Sequence, residues 1–251
     1  MLKVENLSKS FGGIAATNGV SVHYAKGSLS AVIGPNGAGK TTFFNLITGA
    51  LRPDGGRILL DGQDIAGLSP PEIVRRGIGR AFQIARIFPT MTVRDAILCA
   101  VQAHTRQHTI MGRRFPLAET ADRATHVMDL VGLTPRAYAL SRNLSHGDQK
   151  LLDIALALVL EPRVLLLDEP TAGMGTEERW RMIEKVHELW VREKITVVFI
   201  EHDMDIVFKI APSIVVLCYG RILATGTPDE IRKNPAVIEA YLGTDEHAGA
   251  L

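Results

Sequence analysis

The chain is predicted to adopt an α/β fold built on a mainly parallel sheet, and three observations carry that prediction. Short apolar runs alternate with helical patterns along most of its 251 residues. A glycine-rich loop, Gly34 to Thr42, stands between a strand-like run and a helix-like run. A further apolar run, Val164 to Leu167, closes on two acids, Asp168 and Glu169.

Taken in order, Leu2–Leu7 and Val20–Tyr24 read as strands on either side of the turn Gly12-Gly13. Leu29–Ile33 reads as a buried strand, and Phe43 to Ile47 as the helix that follows it. Arg57–Leu60 is the next strand. Ser69-Pro70-Pro71-Glu72 starts a helix, combining an N-cap hydroxyl, a first-turn proline and a Glu at the third helical position. Thr92-Val93-Arg94-Asp95 is a weaker form of the same signal. From Thr92 to Leu160 strand signals vanish, which predicts a helical insertion in the α/β core. Its middle, Arg106 to Pro116, is polar and basic and reads as a loop or frayed helix end. A solvated surface is the ordinary reading of that charge, with a lipid headgroup contact as the alternative. Strands resume at Val164–Leu167, Thr196–Ile200, Ile214–Cys218 and Arg221–Ala224, the last two joined as an antiparallel hairpin through Tyr219-Gly220. Thr227-Pro228-Asp229-Glu230 opens another helix, and Thr244–Leu251 reads as a flexible tail.

Composition narrows the class. A hydrophobic fraction of 46% with 22% charged residues is that of an ordinary globular protein. A net charge of +1 argues for no nucleic-acid partner. The two cysteines, Cys99 and Cys218, have neither metal-ligand spacing nor the density of a disulfide scaffold, which predicts a reducing compartment. The longest apolar runs fall short of the roughly 18 residues that cross a bilayer. The N-terminus lacks the apolar stretch of a secretory signal, so a cytoplasmic location is expected unless another protein tethers the chain.

The chemistry concentrates in Gly34-Pro35-Asn36-Gly37-Ala38-Gly39-Lys40-Thr41-Thr42. Gly34, Gly39, Lys40 and Thr41 meet the phosphate-loop pattern, with strand before and helix after. Glycines let backbone N–H groups turn toward phosphate oxygens, and the helix points its positive end at them. Lys40 suits the β- and γ-phosphates and the Thr41 hydroxyl suits Mg²⁺. A nucleoside triphosphate is the expected ligand. Asp168 and Glu169 stand at the carboxyl end of a parallel strand, where α/β sheets bind ligands. Asp168 fits a Mg²⁺ partner through water, and Glu169 fits the base that polarises an attacking water.

One helix before the acids lies Asn143-Leu144-Ser145-His146-Gly147-Asp148-Gln149, and with it the chain resembles the ABC-type ATPases from about Leu2 to Gly243. That resemblance implies a P-loop NTPase (RecA-like) core with an antiparallel β subdomain and an inserted α-helical signature subdomain. The implied boundaries are core 2–88 and 161–243, helical subdomain 89–160 and tail 244–251. It also implies roles for residues that mean little alone. Phe11 matches the aromatic that stacks on adenine. Gln83, in Arg80-Ala81-Phe82-Gln83, matches the glutamine that reaches metal and water. Ala172-Gly173-Met174 falls where the dimer-contact loop lies, and His202 matches the histidine that contacts the γ-phosphate. Ser145 and Gly147 retain the signature's contacts, while His146 and Asp148 replace its usual glycine and glutamine and have no assigned role.

In such ATPases the signature faces the nucleotide of a second subunit, so a homodimer or a heterodimer with a paralogue is implied. The segment after Gln83 is expected to touch a separate membrane permease. Phe82 to Val93 and Asn234 to Gly243 resemble importers of branched-chain amino acids and related amides, which work with a substrate-binding protein. A lipopolysaccharide-type exporter ATPase, a soluble ABC ATPase of DNA repair or translation, and a small-molecule kinase are the competing readings. The expected role is a transport motor hydrolysing ATP with Mg²⁺ on the cytoplasmic face of the cell membrane.

Overall fold

The computed structural model describes residues 1–105 and 118–245; the basic stretch Arg106–Pro116 and the last six residues of the expected tail lie outside them. In chain order the elements are β1 (Leu2–Phe11), β2 (Ile14–Tyr24), β3 (Leu29–Ile33), α1 (Lys40–Ile47), β4 (Gly55–Leu60), β5 (Gln63–Asp64) and α2 (Pro70–Arg75). Then follow β6 (Ile78–Ala81), α3 (Val93–Thr105), α4 (Ala118–Val131), α5 (His146–Leu158), β7 (Val164–Asp168) and α6 (Thr176–Glu193). The chain finishes with β8 (Thr196–Ile200), α7 (Met204–Ile210), β9 (Ser213–Cys218), β10 (Arg221–Gly226), α8 (Pro228–Arg232) and α9 (Pro235–Asp245). They divide into two compact units, residues 1–78 with 195–251, and residues 79–194.

In the first unit β3 is the central strand. It runs parallel to β8, with Leu29 opposite Val197, and parallel to β9, with Ile33 opposite Val216. Every residue of β3 and β8 is buried, as strands covered on both faces require. The β9–β10 hairpin is antiparallel, as the Tyr219-Gly220 turn predicts. A second sheet of order β2-β1-β4-β5 is antiparallel throughout. Its inner strand β1 begins with alternating buried and exposed residues, the mark of one covered face.

The second unit sets β7 beside β6 and carries α3 to α6. All five residues of β7 are buried. The helices supply an apolar interior through Val93, Ile97, Leu98, Val127, Leu152, Ile154 and Ile183.

Three of the expected helix starts form with the bonds their chemistry predicts. Ser69 and Glu72 close a capping box before α2, as do Thr227 and Glu230 before α8. The Thr92 hydroxyl accepts from the Asp95 N–H at 3.1 Å ahead of α3. Two strands escape the sequence pattern. β5 is two exposed residues long. In β6, Gly79 and Arg80 interrupt the apolar run, yet Gly79 is fitted to its place: a Cβ there would lie 3.1 Å from Pro162.

Candidate active site

In the first unit the loop Gly34 to Thr42 joins β3 to α1. Gly34 has φ 151°, and any Cβ on it would collide with the Leu217 carbonyl. Gly39 stands at the N-cap of α1 with φ 99°, where a Cβ would meet the Ala16 carbonyl. The loop is thereby pressed against β2 and β9 by backbone alone, which only glycine permits. Gly37, at φ 78°, has open space where its Cβ would be, the condition for a close phosphate. Lys40 is 6% exposed and folds across the loop, donating to the carbonyls of Gly34 at 2.6 Å and Pro35 at 3.0 Å. Its ammonium therefore already lies over the strand-proximal half of the loop. The β9–β10 turn braces the loop from below, with Gly220 N–H donating to the Ala38 carbonyl at 3.0 Å. The C-terminal helix does the same at the loop's entry. Tyr241 of α9 hydrogen-bonds to the Gly34 backbone, and burial pushes its phenol up to about 12.

Phe11 ends β1 ahead of the Gly12-Gly13 turn and is 46% exposed, with the Lys9 ammonium 5.7 Å from its ring centre. An aromatic face left open at a hairpin tip is available for stacking. His202 is exposed immediately after β8. Buried Glu201 accepts from its N–H at 3.2 Å, and Asp203 caps α7 by accepting from the Asp205 and Ile206 N–H groups. The histidine is thus held between a buried acid and a helix N-cap.

In the second unit the acid pair acquires partners. Glu169 has φ 47°, a strained value for a residue with a side chain. Its carboxylate accepts from the Gln83 amide at 2.7 Å. Gln83 and Glu169, 86 residues apart, are thereby brought together. Asp168 pairs with the Arg80 guanidinium at 2.5 Å, both side chains under a tenth exposed. Arg80 also stacks 5.0 Å from the Phe82 ring, with Arg86 at 4.2 Å from the same ring.

The segment from Ser145 starts α5. The Ser145 hydroxyl caps it, accepting from the Asp148 N–H at 3.1 Å. Gly147 N–H donates to the Glu178 carboxylate of α6 at 3.2 Å, so an anion already sits at this helix N-terminus. A Cβ on Gly147 would collide with that carboxylate. The residues without an assigned role also find contacts. A ring nitrogen of His146 lies 3.1 Å from the Ala172 carbonyl, and Asp148 lies 3.8 Å from Arg136. Ser145, Gly147 and Glu178 line a cavity of about 490 Å³ together with Arg181 and Lys185.

Comparison with known proteins identifies the family. The sequence profile of the ABC transporter family matches residues 17–172. The chain belongs to the ABC transporter ATPases. A second profile, that of the branched-chain amino acid ATP-binding cassette transporter, matches this ABC ATPase over residues 221–247. It is 41% identical to the high-affinity branched-chain amino acid transport ATP-binding proteins BraF of Pseudomonas aeruginosa and LivG of Escherichia coli K12, over 97% of its length and 98% of theirs. Among solved structures, the ADP conformation of MJ1267, an ATP-binding cassette of an ABC transporter, superposes with a TM-score of 0.85 at 31% identity, covering 97% of this chain and 98% of that one. ATP binding and hydrolysis are the activity of the family.

Sequence reasoning did not find Arg80, Lys150, Asp153, Glu178 or Tyr241 of this ATPase. Lys150 and Asp153 carried the one available signal, being charged residues set among the apolar Leu151, Leu152, Ile154 and Ala155 of α5. Tyr241 falls in the segment read as cargo-group specific, and nothing in the sequence tied it to Gly34.

Proposed function

We propose that this ATPase is the motor of an importer for branched-chain amino acids or related amides, driving separate membrane permeases fed by a substrate-binding protein. The observation that carries the cargo class is the profile match over residues 221–247, because the common ATPase core would serve any cargo. The exposed apolar side chains of Ile84, Phe88 and Tyr138 support a permease contact beside Gln83. No helix among the described residues is long and apolar enough to cross a membrane. In this reading the permeases are separate chains that hold the ATPase at the cytoplasmic face of the cell membrane. The working parts are a core of residues 2–88 and 161–243 and a helical subdomain of residues 89–160.

In this reading Gly34-Pro35-Asn36-Gly37-Ala38-Gly39-Lys40-Thr41-Thr42 takes the triphosphate and Phe11 stacks on adenine. Lys40 exchanges the Gly34 and Pro35 carbonyls for phosphate oxygens. Glu169 polarises the attacking water while Gln83 orients its carboxylate, and His202 contacts the γ-phosphate. Thr41, Gln83 and Asp168 are the residues for Mg²⁺. The hydroxyl, amide and carboxylate oxygens of these residues are hard donors, the kind Mg²⁺ takes. Such an ion, when bound, neutralises charge building on the phosphates. Ser145 and Gly147 of each copy serve the nucleotide held by its dimer partner, itself or a paralogue. ATP then favours the closed pair, and loss of the terminal phosphate reopens it.

Glu169→Gln tests this. It should leave ATP affinity within about threefold, lower the hydrolysis rate by about 10²- to 10⁴-fold and accumulate a dimer on gel filtration with ATP. Wild-type turnover in that variant would overturn the role of Glu169. Reconstitution with the permeases and binding protein should give ATP-dependent uptake of a branched-chain amino acid or a short amide; ATP turnover that the binding protein stimulates with none of leucine, isoleucine, valine or short aliphatic amides would overturn the cargo class.

A further inference from the structure

Two charged residues of α5, Lys150 and Asp153, are 2% and 4% exposed. They stand three residues apart, hence on one face of the helix. A buried ammonium and a buried carboxylate are costly unless hydrogen bonds replace water. Here the replacement comes largely from the main chain of one short segment. Lys150 Nζ donates to the carbonyls of Phe82 at 2.5 Å and Gln83 at 2.9 Å, and to the Asp168 carbonyl at 3.2 Å. The two Asp153 carboxylate oxygens accept from the N–H groups of Phe82 at 2.7 Å and Arg86 at 3.1 Å.

That segment follows β6 and has neither a strand ladder nor helix bonds to fix it. The side chains of Gln83, Ile84, Arg86 and Phe88 face solvent. Its backbone is nevertheless gripped at Phe82 on both polar groups, at Gln83 on the carbonyl and at Arg86 on the amide. The same ammonium reaches the carbonyl of Asp168, the residue before Glu169. We propose that Lys150 and Asp153 are positioning residues for Gln83, locking its backbone to Asp168 and to the helix capped by Ser145. The Gln83–Glu169 contact and the Ser145–Gly147 segment then move as parts of one body. A permease pressing on Ile84 or Phe88 is felt through this lock at both the hydrolytic carboxylate and the surface offered to the second nucleotide. The proposal rests on the roles of Gln83 and Glu169 given above.

The test is a double-mutant cycle between Lys150→Gln and Gln83→Ala, with kcat and the KM for ATP measured separately. Lys150→Gln should lower kcat by about 10- to 100-fold, the scale of a small misplacement of a reacting group, with KM within about twofold. Lys150→Arg, which keeps charge and reach, should recover most of kcat. The double variant should be no slower than Gln83→Ala alone. Hydrogen exchange should quicken at the Phe82 and Arg86 amides in Asp153→Asn, which keeps size and one acceptor. If Lys150→Gln does not fold, Asp153→Asn takes its place in the cycle. Losses that multiply in the double variant would overturn the proposal. So would wild-type kcat in Lys150→Gln alongside a slow Gln83→Ala. Wild-type kcat in Gln83→Ala would instead remove the role of Gln83 and the proposal with it.

Discussion

At the scale of single residues, the phosphate loop is set by what its glycines allow and its lysine requires. Gly34 and Gly39 approach neighbouring carbonyls so closely that no side chain fits, which fixes the loop's path before any ligand arrives. Lys40 holds two loop carbonyls, and in the proposed mechanism it exchanges them for phosphate oxygens, a trade of neutral acceptors for charged ones. Lys40→Ala should therefore weaken ATP binding by about 10- to 100-fold, the worth of one charge-assisted hydrogen bond. Fluorescent-nucleotide titration measures it, and unchanged affinity would contradict the loop's role. Glu169 stores strain at φ 47° and accepts from Gln83, so the path of its carboxylate is set by the chain itself.

At the scale of elements, short helices owe their starts to caps rather than to length. α7 has seven residues, too few to be stable alone, and Asp203 holds its first turn. Asp203→Ala should cost about 1 kcal/mol, read as a lower urea midpoint, while Asp203→Ser should retain most of it. On the proposed role of His202, which directly precedes Asp203, the alanine variant should also lower kcat. A variant with full stability would show that another group caps the helix. α5 is the richer element. Its N-terminus carries Ser145 and meets Glu178, and its buried face grips the segment that bears Gln83.

For the molecule as a whole, buried charge predicts a pH dependence. Burial raises the Asp153 carboxyl above its ordinary value, against the opposing bonds from Phe82 and Arg86 N–H and the nearby Lys150 charge. A folded value above the unfolded one means the native state binds more protons in the window between them. Stability contributed by this group is then lost as pH rises through that window, starting near the ordinary carboxylate value of about 4. The exposed carboxylates of Glu72 and Glu230, lowered by their capping bonds, act in the opposite sense. The wild type and Asp153→Asn should therefore diverge in urea midpoint as pH rises above about 4, the variant gaining relative stability. Parallel curves would show that Asp153 titrates no differently in the folded and unfolded chains.

The legible part of this protein was whatever is written locally. Loop glycines, apolar strand runs, the acid pair and the capping boxes each depend on neighbours within a few residues, so sequence alone determined the α/β class and the order of motifs, and it pointed to a nucleoside triphosphate as ligand. Where a strand is two residues long or broken by Gly79 and Arg80, the local signal fails and only pairing reveals it. What tertiary structure decided are the partnerships across 18 to 88 residues: Arg80 with Asp168, Gln83 with Glu169, and Lys150 with both segments. A charged side chain in an apolar helix face looks alike whether it reaches water or a buried carbonyl. Its partner is fixed by packing, which brings together groups that the linear order keeps apart.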